Sequence, residues 1–205
     1  MNKGKEIETK SMLIIDEFLK DSKFTDEQVP IVKRILHTTG DPEYRKIISI
    51  KNNFVAKAKD VFQNNPKIYC DTRMIEAGIN KRTLKKVGGS ISCFVDEKDI
   101  FTRSKETGET RSALAIDLAI KKGFSIFVIG NAPTALFRLL QRVDEKKIKP
   151  QLVIGTPVGY VGAAESKDAL CKYNIPQLSI IGTKGGSNVA ASIVNAILYE
   201  ITERC

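Results

Sequence analysis

Tryptophan is absent from this chain of 205 residues, and histidine occurs once, at His37. A lone imidazole excludes zinc centres that need two or more histidines. The four cysteines, Cys70, Cys93, Cys171 and Cys205, stand far apart with no Cys-x-x-Cys pair. That spacing reads as free thiols in a reducing compartment rather than a disulfide framework or a metal site. Long apolar runs are missing too. The most apolar stretch, Phe124 to Leu140, is interrupted by Gly130, Asn131 and Pro133, too short and broken to span a bilayer. Near the start, Met12 to Ile15 gives a run of only four apolar residues before Asp16, so no secretory signal is expected. These absences predict a cytoplasmic protein with no membrane partner.

Charge of one sign is in excess. There are 33 Lys and Arg against 24 Asp and Glu, a formal net charge of +9. Such a balance implies anionic partners. The cations are spread in pairs such as Lys85-Lys86, Lys121-Lys122 and Lys146-Lys147, with no basic block and no basic helix interleaved with aromatics. That pattern disfavours nucleic acid and leaves a small polyanion. Apolar residues make up 42 %, an ordinary globular share. One domain over 1–205 is expected, with a helical part over 1–65 and an α/β core over 66–205.

Ile7, Met12, Ile14, Ile15, Phe18 and Leu19 form an apolar face of helical period. Thr25 and Gln28 fit a capping box for a second helix, Asp26 to about Leu36, closed by Gly40. Asp41-Pro42 then predicts a third helix reaching about Gln63, with Asp41 as N-cap and Pro42 first in the helix. After Pro66 the texture changes. Apolar runs at 67–70, 125–129, 151–154 and 177–181 read as buried strands, each leading through a loop into a helix, and 90–95 reads as another. Helices follow the loops at 130–134 and 155–159, and two more cover about 110–122 and 188–201. Such alternation predicts an α/β fold: a mostly parallel sheet with helices on both faces, after an N-terminal helical segment. Right-handed crossovers bring the strand-to-helix loops to one edge, where ligands of such sheets bind.

Three of those loops are rich in glycine: Gly130-Asn-Ala-Pro-Thr134, Gly155-Thr-Pro-Val-Gly159 and Gly182-Thr-Lys-Gly-Gly-Ser187. In the third, paired glycines permit close backbone approach, Ser187 or Asn188 can cap the next helix, and Lys184 with the helix start offers an anion site. The alternative is a tight turn that only connects strand to helix. Neither a P-loop nor a dinucleotide fingerprint is present. No Gly-x-Ser-x-Gly elbow occurs, and no carboxylate cluster suits a metal hydrolase. Proton chemistry falls to His37, at a predicted helix end, where it is either a plain C-terminal cap or a proton carrier.

In this order, His37-Thr-Thr-Gly-Asp41, Asp71-Thr-Arg-Met74, Thr110-Arg111, Gly130 to Thr134, Gly155 to Gly159 with Ala163-Ala-Glu-Ser-Lys167, and Lys184-Gly-Gly-Ser187 resemble the precorrin-8X and cobalt-precorrin-8 methylmutases of cobalamin biosynthesis. The likeness runs from Ile7 to about Leu198. It implies an isomerase that moves a methyl group from C-11 to C-12 of a corrin ring, giving hydrogenobyrinate or cobyrinate, with no bound cofactor. It implies His37 as the proton donor and acceptor. It also implies a homodimer with the macrocycle at its interface. The substrate contacts expected are Ser11, Thr39, Arg73, Arg111, Asn131, Thr134, Gly159, Lys184, Gly185, Gly186 and Ser187. Arg73, Arg111 and Lys184 are the cations assigned to substrate carboxylates. Two positions depart from the family pattern: Thr183 stands where an Arg is expected, and Tyr160 where Phe is usual. The rival readings are a nucleotide-dependent α/β enzyme and a non-catalytic carrier of corrinoid or nucleic acid.

Overall fold

Side chains alternate strictly across the strands, and each parity enters a different core. Ile68, Cys70, Ile126, Val128, Leu152, Ile154, Leu178 and Ile180 point into one hydrophobic cluster. Tyr69, Phe127, Ile129 and Val153 point into the other. A sheet buried on both faces needs this near-continuous apolar composition. The structure is a computed structural model that describes residues 3–202. Cys70, Cys93 and Cys171 are free thiols, and Cys205 lies outside the described residues.

The chain begins with helices α1 (Lys3–Leu19), α2 (Val29–Thr39) and α3 (Tyr44–Ile47), strand β1 (Ile48–Lys51) and helix α4 (Phe54–Gln63). Then come β2 (Lys67–Cys70), α5 (Arg73–Gly78), α6 (Lys81–Lys86), β3 (Ser90–Ser92), α7 (Lys98–Thr107) and α8 (Arg111–Lys121). The remainder is β4 (Ile126–Ile129), α9 (Pro133–Asp144), β5 (Leu152–Gly155), α10 (Ala163–Leu170), β6 (Gln177–Ile180) and α11 (Ser187–Ile201). The sheet order is β1-β6-β5-β4-β2-β3. Every pairing is parallel except β1 on β6, where Ile48 faces Ile180 and Lys51 faces Gln177. One layer of helices, with α2, α4 and α11 at its centre, covers the first cluster, and α8, α9 and α10 cover the second.

The predicted α/β fold is present, with corrections in the first third. The helix expected from Asp41 to Gln63 is instead a short helix, an edge strand and a second helix. Asn52 and Asn53 both adopt left-handed backbone, φ 56° and 55°, which breaks any helix there. Asn52 Nδ2 donates to the carbonyls of Tyr173 (3.0 Å) and Ile175 (2.8 Å), tying that turn to the segment before β6. Asp41 caps only a turn, its Oδ1 accepting from the Glu43 N–H at 2.9 Å. The second helix begins at Val29 rather than Asp26. The Thr25 N–H donates to Gln28 Oε1 at 3.3 Å, so half of the capping box exists, but Pro30 belongs in a first turn and sets the start. Gly40 closes α2 as expected, with φ 63° and its N–H on the Leu36 carbonyl.

Candidate active site

The strand order places a switch point between β2 and β4, where a doubly wound sheet opens a crevice. Here the chain fills it with its own carboxylate. Asp71, 1 % exposed, accepts the N–H groups of Gly130, Asn131 and Ala132 at 2.9, 3.0 and 2.8 Å. Burial pushes its pKa up and the three donors pull it back. The open space lies farther along the same edge, over β5 and β6.

There the loops 156–159 and 183–186 are stitched together. The Gly159 N–H donates to Thr183 O at 3.0 Å and the Gly186 N–H to Thr156 O at 2.8 Å. Gly185 has φ 150°, and a Cβ there would stand 2.3 Å from the Thr156 carbonyl oxygen, so this crossing admits only glycine. Beside the loops opens a cleft of about 410 Å³, whose lining includes Thr39, Asp41, Tyr44, Gly159, Lys184 and Gly185. Lys184 is ion-paired with Asp41, and its ammonium sits 5.3 Å from the centre of the Tyr44 ring. The pairing holds Asp41 below the usual carboxylate range and Lys184 above its ordinary value. Burial raises Tyr44, while the Gly185 amide facing its hydroxyl acts the other way.

His37 and Ser11 line a separate hollow of about 310 Å³, walled by Ile14, Ile15, Phe18, Leu36 and Pro42. His37 is exposed on the last turn of α2, and no hydrogen bond among the described residues involves its imidazole. The Ser11 hydroxyl donates to the Ile7 carbonyl at 3.0 Å. The two hollows flank one turn. Thr39 and Asp41 face the polar cleft, and Gly40 and Pro42 face the apolar hollow.

None of the other expected contacts lines either hollow. Arg73 is clamped by Asp96 (Nη2 at 2.6 Å, Nε at 3.1 Å) and by Glu76 at 2.7 Å, so two acids already neutralise it. Arg111 opens α8 after the N-cap Thr110, whose hydroxyl donates to Thr134 at 3.0 Å. Asn131 is exposed on the loop that Asp71 holds. Gly186 is buried as the N-cap of α11. Neither Ser187 nor Asn188 caps that helix, as the sequence had suggested. Ser187 is its first residue and pairs with Thr72 at 2.9 Å. The sequence reading missed Tyr44, and it gave Lys167 no role. Lys167 repeats at helical spacing with Ala163 and Leu170, both buried, and that period marks it as facing inward.

Fold and site together define a doubly wound α/β protein that presents cations, a helix start and one imidazole along the carboxyl edge of its sheet. A family model for precorrin-8X methylmutases matches residues 6–200. The chain belongs to that family, whose members are isomerases of cobalamin biosynthesis. It is 41 % identical to the cobalt-precorrin-8 methylmutase of Salmonella typhimurium, over 96 % of this chain and 95 % of that one. It is 39 % identical to the Methanocaldococcus jannaschii protein of the same name, over 96 % and 90 %. The crystal structure of the precorrin-8X methylmutase from Thermus thermophilus superposes with a TM-score of 0.91 at 30 % identity, covering 97 % of each chain. Among the described residues, no helix is long and apolar enough to cross a membrane.

Proposed function

We propose that this isomerase moves the methyl group of precorrin-8, or of its cobalt form, from C-11 to C-12, with His37 giving and taking the proton. The observation that carries the reading is the placement of His37 and Lys184 on the two sides of the 39–42 turn. A macrocycle lying over that turn would set an apolar part of its rim against Ile14, Phe18 and Pro42, beside the imidazole. Its acetate or propionate groups would reach Lys184 and the start of α11. The reaction gains and loses no atoms. A proton delivered to the ring selects the tautomer in which the methyl group migrates, and it returns to the imidazole afterwards. Holding the ring in one pose supplies the rest of the rate. The exposed Tyr160 and Val161, beside the cleft, would cover an apolar face of the ring.

A homodimer belongs to the same reading. Ile7, Leu13 and Ile14 are each about 60 % exposed on α1, an apolar surface bordering the His37 hollow, which suits a partner copy closing over the macrocycle. The test is His37→Ala. The variant is expected to bind hydrogenobyrinate within about threefold of wild type and to lose at least about a hundredfold in isomerisation rate. Unchanged turnover would remove His37 from the mechanism. Tight binding with no turnover in the wild type would instead favour a carrier.

A further inference from the structure

We infer that Lys167 is the positioning residue of the anion-receiving loop: its ammonium, buried beneath residues 183–186, holds the Lys184 carbonyl inward and keeps a positive charge behind the cleft. The inference rests on the proposed role of that loop in taking a substrate carboxylate.

Lys167 is fully buried, among the largest side chains that are. Its Nζ donates to the Lys184 carbonyl at 2.7 Å. No carboxylate among the described residues forms an ion pair with it, and Asp168, its acidic neighbour, is exposed. A buried ammonium without a counter-charge is costly, and a methionine would fill the same volume without that penalty. The arrangement gives the ammonium a use. Backbone bonds from Gly159 to Thr183 and from Gly186 to Thr156 fasten the two ends of the loop, and Lys167 grips its middle. With the Lys184 carbonyl turned inward, the Lys184 side chain points to Asp41 and the Gly185 amide faces the Tyr44 hydroxyl, both lining the cleft. A cation bonded to one end of the 184–185 peptide also polarises the N–H at its other end. In a low-dielectric surround, its charge reaches an anion in the cleft more strongly than an exposed lysine's would.

Burial lowers the Lys167 pKa to about 8. Asp168 on its own helix is the charged group that acts on it, and Lys184, whose carbonyl it holds, is ion-paired with Asp41 beside the Tyr44 ring on the cleft side of the loop. Lys184 and Tyr44 are held above their ordinary values and Asp41 below its own, so none of them titrates near pH 8.

The experiment compares wild type with Lys167→Met and Lys184→Ala, using hydrogenobyrinate as the binding probe. K167M is expected to bind it at least tenfold more weakly and to raise KM in step, with kcat within threefold. Amide exchange at Gly185 and Gly186 is expected to quicken while that of Val128 and Ile154 holds. Wild-type affinity is expected to fall as pH rises through about 8, where Lys167 loses its charge, and K167M to show no such step. If K184A weakens binding and K167M does not, Lys167 has no part in positioning and only this inference falls. If both variants bind as wild type, the anion-receiving reading of the loop falls with it. Exchange that quickens throughout the sheet, with kcat lost at unchanged KM, would make Lys167 a plain core residue and overturn the proposal. Should K167M fail to fold, the wild-type pH profile decides: no step near pH 8 overturns it.

Discussion

Asp71 and Lys167 are the buried charges that shape the carboxyl edge of the sheet, and each makes a prediction of its own. Asp71 gathers three backbone N–H donors that would otherwise face an empty crevice. Asparagine has the same size but offers an amide N–H to those donors. Asp71→Asn is therefore expected to lower stability by about 2–4 kcal/mol, read by urea unfolding. For Lys167 the sign runs the other way from a lysine raised by an ion pair, such as Lys184. The folded pKa of Lys167, about 8, lies below the ordinary 10.5, so between those values the unfolded chain binds more protons than the folded one. Stability should rise with pH across that window, relative to K167M, by an amount on the order of 3 kcal/mol, measured as the difference between paired unfolding curves at pH 7.5 and 10.5.

At the scale of elements, the paired loops after β5 and β6 and the edge strand β1 decide where the site sits. Gly185→Ala places a methyl group against the Thr156 carbonyl, and its φ of 150° is foreign to L side chains. The stitched loops must separate. The expected result is a loss of corrin affinity of about tenfold or more, with the thermal midpoint moved by only a few degrees, since the loop lies outside both cores. Strand β1 depends on the turn that follows it. Asn52→Ala removes two hydrogen bonds and a residue that tolerates left-handed backbone. It should destabilise by about 1–3 kcal/mol in denaturant unfolding.

At the scale of the molecule, charge and the apolar surface of α1 carry the expectations. A net charge of +9 without basic blocks attracts a small polyanion over a distance, and salt screens that attraction. The KM for the corrinoid should rise several-fold between roughly 20 and 200 mM salt, with kcat unchanged. Ile14 is 62 % exposed beside the His37 hollow. Ile14→Glu should shift the proposed dimer toward monomer in sedimentation velocity and lower activity in proportion. Full activity in a monomer would remove the partner copy from the site.

Most of the α/β layout is legible in the sequence alone. Apolar runs such as 126–129 and 152–155 are long enough to bury a strand on both faces, and the glycine-rich turns after them announce each crossover. The family itself was legible in the order of short motifs around His37, Gly155 and Lys184. What local pattern could not supply was context. Ile48 to Lys51 carries no strand signal stronger than its helical one, and it becomes a strand because β6 offers an open edge and two asparagines turn the chain. Arg73 reads as a ligand cation, yet Asp96, distant in sequence, claims it. The spacing of Lys167 with Ala163 and Leu170 marks an inward face, but not what that face meets. The charge of Lys167 lies under the loop that carries Lys184, because burial and hydrogen bonding depend on which surfaces meet, and one-dimensional spacing encodes that only through the fold.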